Sequence, residues 1–228
     1  MSTATLTGLV LIALPVAFNV TFGLLAARFD YPDVLRRPTD EVLARFRAGG
    51  SSLVLLWWAF ALTALALAPA VVLLSSAVAD AGGTLLAVTT VTGVLASLVQ
   101  LLGLIRWPFL VPYLAGVAAE PGIGEARREA VDIVFQAANR YLGVAVGEHL
   151  GYALTGAWTT LAGVALTRTA AVPSWIGVVG LVVGAVLALC SLEFVGGRAD
   201  GWKVAEKLTP IAYVAWSLWL AATGIALL

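Results

Sequence analysis

Charge and reactive side chains are what this chain has least of. Aspartate, glutamate, lysine and arginine make up 11% of its 228 residues, against about a quarter in soluble domains. Hydrophobic residues make up 61%, at a mean hydropathy of +0.99, and such a surplus of apolar surface has to face lipid. Cys190 is the only cysteine and His149 the only histidine. That excludes an intrachain disulfide, a cysteine-rich zinc site, a haem held by two histidines and histidine-cluster di-iron chemistry within one chain. Neither a metal nor a cofactor is expected. The 13 basic residues balance 13 acidic ones and form no long positive stripe of the kind that neutralises a phosphate backbone, so nucleic acid is not an expected partner. Residues 1–27 lack a basic leader, and their apolar stretch is too long for a cleaved signal, so they read as a retained first span.

What is present is a series of uncharged runs of membrane length. Crossing about 30 Å of hydrocarbon takes roughly 20 apolar residues, and runs of that size lie at 1–27, 51–79, 81–105, 169–192 and 208–228. A sixth, 141–167, is interrupted only by Glu148 and His149. The expected fold is all-α, a polytopic transmembrane helix bundle in a single domain over 1–228. Its six spans fall near 5–27, 52–77, 84–105, 141–167, 173–192 and 208–228, and loops 28–51, 106–140 and 193–207 share one side.

Twelve of the 13 basic residues fall in those three loops. They are Arg28, Arg36, Arg37, Arg45 and Arg47 in the first, Arg106, Arg127, Arg128 and Arg140 in the second, and Arg198, Lys203 and Lys207 in the third; Arg168 alone lies opposite. Basic residues accumulate in short cytoplasmic loops, so both termini are expected outside, in a multi-pass protein of the cell inner (plasma) membrane. Anionic lipid headgroups on the cytoplasmic face are the expected partners.

Within the first loop, Thr39 is placed to cap a short helix carrying Asp40 and Glu41 in its first turn and stopped by Gly49-Gly50. Two readings of that helix stay open, one lying on the membrane surface and one packed on the bundle as a connector. The second loop starts at Arg106-Trp107-Pro108 and re-enters helix at about Glu125, which runs on into the fourth span. Gly82-Gly83 and Gly196-Gly197 mark turns. Pro15 and Pro69 leave the carbonyls of Leu11 and Leu65 without their usual partners.

The fourth span carries the polar chemistry. Gly143, Gly147, Gly151, Thr155, Thr159 and Gly163 recur every fourth residue along one drifting helix face, a pattern that lets two helices approach closely, either within one chain or between two copies. At the α-helical step of about 100° per residue, Tyr141, Glu148 and Thr155 border that seam, whereas His149 points elsewhere. Glu148 is eight residues beyond Arg140, a depth of roughly 12 Å at helical rise. Asn19, Gln100 and Tyr213 lie at a similar level in other spans and complete a polar layer. A charged side chain at the centre of a membrane helix costs about 2.5 to 3.5 kcal/mol or more, so Glu148 is a candidate proton or ligand site. The alternative is a structural network in which it is protonated or paired with Arg106 or Arg140.

The segments Tyr31-Pro32-Asp33-Val34-Leu35-Arg36-Arg37-Pro38, Asn139-Arg140-Tyr141-Leu142-Gly143 with Gly147-Glu148, and Leu208-Thr209-Pro210-Ile211-Ala212-Tyr213 followed by Trp216-Ser217-Leu218-Trp219-Leu220 resemble an uncharacterised bacterial family of integral membrane proteins catalogued only as a domain of unknown function. The resemblance covers nearly the whole chain and implies the architecture without implying a catalytic residue.

Three classes of function compete. A transporter, channel or small-ligand binder would use the polar layer and the one protonatable Glu148. A structural or regulatory protein would act through helix packing and its basic cytoplasmic face. Enzyme activity is not expected, because Ser191 or Ser217 would have only His149 as an activating base. Glutamate-dependent metal hydrolysis would need further histidines, and a retinal Schiff base would need a lysine deeper than Lys203 or Lys207.

Overall fold

The structure, a computed structural model, describes residues 1–196 and 202–228. Gly197 and Arg198, read above as part of a turn and as a basic loop residue, lie outside the described residues. Among the described residues every regular element is helical. This is the economical solution in an apolar surrounding, where a helix satisfies its own backbone groups.

Helix α1 spans Thr3–Phe29; Ser2 caps it by accepting the Thr5 N–H at 3.1 Å. Helix α2, Thr39–Ala77, breaks at Gly50, whose φ of 58° and ψ of −156° suit glycine alone. An amphipathic segment, 39–49, therefore meets the long apolar segment 51–77 at an angle. Val42, Leu43 and Phe46 are buried against Val131 and Phe135, so the short segment packs on the bundle. Thr39 does not cap it. Its hydroxyl donates to Asp132 Oδ1 and accepts from Gln136 Nε2 at 3.0 Å, because the neighbouring helix offers a tertiary partner in place of the local one.

Helix α3 runs Gly83–Ala118, well past the end expected near residue 105, and passes through Pro108 and Pro112. Each proline removes a helix bond, yet Trp107, Val111, Leu114 and Ala115 are buried in the same core as Phe46 and Phe135. Burial of that face offsets the lost bonds and carries the helix on. Helix α4, Glu125–Ala138, starts where the sequence indicated and continues through a π-helical segment, Asn139–Leu150, into α5, Gly151–Leu166. Helix α6 covers Ser174–Cys190 and ends in a tight 3-10 turn, Ser191–Phe194. Helix α7, Lys203–Ala226, begins earlier than expected, so Lys203 and Lys207 belong to its first turns and not to a loop.

Among the described residues, five helices are long and apolar enough to cross a membrane: Thr3–Phe29, Thr39–Ala77, Gly83–Ala118, Ser174–Phe194 and Lys203–Ala226. The segment expected to be the sixth is divided between the π-helix and α5. Packing runs from α1 to α2, α3, α5, α6 and α7 and returns to α1, closing a ring. Two apolar cores fill it. One holds Leu11, Leu67, Val71, Trp158, Trp216, Trp219 and Leu220; the other, at the basic end of the bundle, holds Phe29, Phe46, Trp57, Trp107 and Phe135. Trp57 and Trp107 stack face to face there, 4.3 Å apart at 9°.

Candidate functional site between two apolar cores

The small-residue face of the fourth helical stretch divides into two interfaces. A Cβ on Gly147 would come within 2.9 Å of the Gly103 Cα, one on Gly143 would meet the Arg106 guanidinium at 2.6 Å, and one on Gly151 would touch Gln100 at 3.0 Å. These three glycines therefore let α3 approach. Gly163 instead lies on Gly177, Gly180 and Leu181 of α6, and so does Gly156 on Gly184 and Ala188, a position outside the expected seam. The straight stripe turns from one neighbour to another because two helices share α5.

Among the described residues Arg106 is the most confined charge, 7% exposed. Its Nε donates to Asn139 Oδ1 at 3.1 Å, its Nη1 donates to the Gly103 carbonyl, and its guanidinium lies 5.3 Å from the Trp107 ring centre. A buried guanidinium is tolerable only with its donors occupied, and the missing side chain of Gly143 leaves it room. Glu148, partly buried, lies within electrostatic reach of Arg106, Tyr31, Tyr152 and Tyr213. Burial first, and then the Glu148 charge, push the Tyr31 hydroxyl above the ordinary phenol range, with Arg106 pulling the other way.

Around these groups runs a strip of aromatic rings. Phe18 stacks on Tyr213 at 6.0 Å and on Phe22 at 6.4 Å; Phe22 meets the edge of Tyr31 at 5.8 Å, and Tyr152 meets Tyr213 at 5.0 Å and Phe194 at 5.2 Å. All are partly buried. Phe18, Phe22 and Tyr31 border the core at the basic end, and Tyr152 and Tyr213 border the other. These five rings thus lie along the boundary between the two apolar cores.

The other residues expected in the polar layer have different employment. Asn19 Nδ2 donates to Ser217 Oγ at 3.0 Å and to the Pro15 carbonyl at 2.7 Å, clamping α1 to α7. Gln100 Nε2 donates to Thr155 Oγ1 at 2.9 Å, clamping α3 to α5, and Thr159 Oγ1 accepts from the Trp216 indole at 3.0 Å. The His149 Nδ1 meets the Ser191 carbonyl oxygen at 2.9 Å, while the Ser191 hydroxyl donates to the Ala188 carbonyl. Arg140 is exposed. Tyr141, expected inside, is 68% exposed. The π-helix carries its hydrogen bonds one residue further per turn than an α-helix, so the step per residue is smaller and Tyr141 leaves the face that α-helical spacing gave it.

Tyr31, Tyr152, Asn139, Phe18, Phe22 and Phe194 were not expected at the site. Tyr152 had a signal, since it stands four residues after Glu148 and residues so spaced are neighbours on a helix. Tyr31 is brought in from a loop by the ring closure, which no local pattern announces. Among the described residues, no group of three or more histidine, cysteine, aspartate or glutamate side chains gathers as a metal site would require. A shallow groove of about 470 Å³ lies at the far end, where Ser75 and Thr90 share a hydrogen bond of 2.7 Å, away from Glu148.

No curated protein and no solved structure matches the chain. A family model described as a domain of unknown function, DUF4386, matches residues 6–224, nearly the full length, and the protein belongs to that family.

Proposed function

We propose that this protein crosses the inner (plasma) membrane six times with both termini outside, and that it binds or transports a small solute, ion or proton at Glu148 in the inner half of the bundle. The sixth crossing in this reading is the π-helix joined to α5, Asn139–Leu166, whose charged residues are Arg140 and Glu148. The observation that carries the functional reading is a partly buried carboxylate within electrostatic reach of a confined arginine and three tyrosines that border the two apolar cores. Membrane proteins keep such groups where a charge is bound or moved. Enzyme chemistry has less support, because the His149 ring nitrogen is engaged by the carbonyl of Ser191 and the serine hydroxyl turns to Ala188.

Anionic headgroups are the partner proposed for the cytoplasmic face. Arg36, Arg37, Arg45 and Arg127 already face acidic groups of the chain, which leaves, among the described residues of that face, Arg28, Arg47, Arg128 and Arg140 as exposed arginines for headgroups. A structural role is the second reading, supported by the bonds that tie Arg106 to Asn139 and Gly103. Glu148→Gln separates the two. In proteoliposomes a working site loses its pH-dependent binding or flux while the protein melts like the parent. A structural pair instead loses stability, about 3 to 5 kcal/mol for a buried ion pair, with every pH-dependent signal retained. An unchanged melting temperature together with unchanged pH-dependent signals refutes both.

A further inference from the structure

We infer that the outward faces of the α3 end and of α4 are seated in the phospholipid headgroup layer at the basic end of the bundle, with Phe109, Tyr113, Ile133 and Val134 as the side chains that meet lipid. The inference rests on the membrane crossings. It needs neither the Glu148 reading nor a choice of which end faces the cytoplasm.

Depth follows from the pairing of the two helices. The Arg106 guanidinium donates to Asn139 at 3.1 Å and the Trp107 ring meets Phe135 at 6.4 Å, so α3 and α4 run antiparallel away from a common level. Tyr113 is seven residues beyond Arg106, and Ile133 is six before Asn139. Both therefore stand about 10 Å past that level at helical rise. The inward faces are closed, with Trp107, Val111, Val131 and Phe135 buried in one core. The outward faces are open: Phe109 and Tyr113 are 68% and 67% exposed, and Ile133 and Val134 are exposed as well. Further out still, both helices turn to charge, in the Glu120–Arg127 pair at 2.9 Å and in exposed Arg128 and Glu129.

The order of side chains along α3 identifies the occupant as lipid. Val91, Leu95, Leu98 and Leu102 are exposed and share with Phe109 and Tyr113 a sector of about 60° at the helical step. The face is thus one continuous stripe, aliphatic over the span, aromatic just past it, and followed by charge from Glu120. A bilayer presents hydrocarbon, headgroups and water in that sequence, and tyrosine collects at the headgroup level. The lengths agree. Residues 84–105 cover about 32 Å against about 30 Å of hydrocarbon, and 84–113 cover about 44 Å against about 40 to 45 Å for the bilayer with its headgroups. A second copy or another protein would impose no such order or length. Arg140, exposed and next to Asn139, reaches the same layer along its own apolar stem.

The test uses the full chain with Cys190→Ser in phosphatidylcholine nanodiscs, carrying one nitroxide-labelled cysteine at a time in place of Phe109, Tyr113, Ile133 or Val134. Leu98 within the span and Glu129 beyond the face serve as references. Electron paramagnetic resonance reads collisions with oxygen, which concentrates in the bilayer, and with a neutral nickel chelate, which stays in water. The oxygen-to-chelate ratio is expected to be highest at Leu98 and lowest at Glu129, with all four test sites between them and each site open to at least one reagent. Melting temperatures check folding, and a label that unfolds one site leaves the other site on that helix to decide. Ratios at Tyr113 and Ile133 equal to that of Glu129 would place these faces in water and overturn the inference. Sites closed to both reagents would mean that protein covers them, a second copy included, and would overturn it equally. A ratio at Leu98 as low as that of Glu129 would refute the membrane crossing itself, and the inference with it.

Discussion

At the scale of single residues, the charges of this protein are few, and several of them tie separate segments together. At the far end of the bundle Asp80 accepts the Thr169 hydroxyl at 2.7 Å and the Ala170 N–H at 3.4 Å, joining the turn before α3 to the turn before α6. The Thr169 bond, more than the Ala170 bond, holds the Asp80 carboxyl below the usual carboxylate range. A group whose folded value is depressed contributes stability above its unfolded value, about 3.9 for aspartate, and loses it as pH falls through the folded value. Asp80→Asn should therefore lower the melting temperature at pH 6 to 8. The difference from the parent should shrink below about pH 4 and vanish once the folded carboxyl is protonated. A difference that stays constant from pH 7 to pH 3 would mean that the charge is not what the site uses. The three residues that matter most at the candidate site, Glu148, Arg106 and Tyr213, could all be singled out from the sequence because an ionisable or hydroxyl group in an apolar run is conspicuous. Tyr31 could not be assigned there, since a tyrosine in a polar loop stands out from nothing.

Helix-scale behaviour depends on close approach. In lipid there is no hydrophobic force between helices, so contact surfaces rely on small residues and on hydrogen bonds between helices. Gly103 and Gly147 lie backbone to backbone; a Cβ at Gly103 would stand 2.6 Å from the Gly147 Cα. Gly103→Ala should thus cost about 1 to 3 kcal/mol by overpacking, whereas Gly116→Ala, with open space around it, should be harmless or mildly stabilising. Thermal melts in detergent decide this, and equal melting temperatures for the two variants would mean that α3 and the π-helix do not pack as described. The glycines could be recognised as a packing face from their spacing, but not the helices they would meet. The π-helix was hidden for a related reason. Local propensity in this stretch is satisfied by an α-helix, and the looser turn exists in the context of Gly143 against Arg106 and Gly147 against Gly103, both contacts with another helix.

For the molecule as a whole, the ring of helices places the 30–38 loop and the amphipathic segment 39–49 at the same end as Arg106. Labelling tests the proposed orientation. In a Cys190→Ser background, cysteines at Ala79 and Ala170, both exposed beside Asp80, should react with an impermeant reagent applied to intact cells, while cysteines at Ala48 and Ala126 should react only after permeabilisation. Labelling of Ala48 and Ala126 from outside would invert the topology and move the Glu148 site to the outer half.

The amino-acid sequence by itself determined the helical class, the approximate helix positions, the start of α4 at Glu125, the break at Gly50 and the placing of one carboxylate within an otherwise apolar run. Each of these follows from local properties: hydropathy over a window of membrane length, the backbone freedom of glycine, and the rarity of charge. Tertiary structure decided the rest. It carried α3 through Pro108 and Pro112, because apolar burial against 39–49 and α4 outweighs two missing bonds. It took Thr39 from its expected cap to Asp132 and Gln136, turned Tyr141 outward, and spent Asn19 and Gln100 on helix clamps. It also brought Tyr31 to Glu148. In every case the deciding partner is distant in the chain, and a side chain with two available partners chooses by the geometry of the closed ring, which the linear order of residues does not contain.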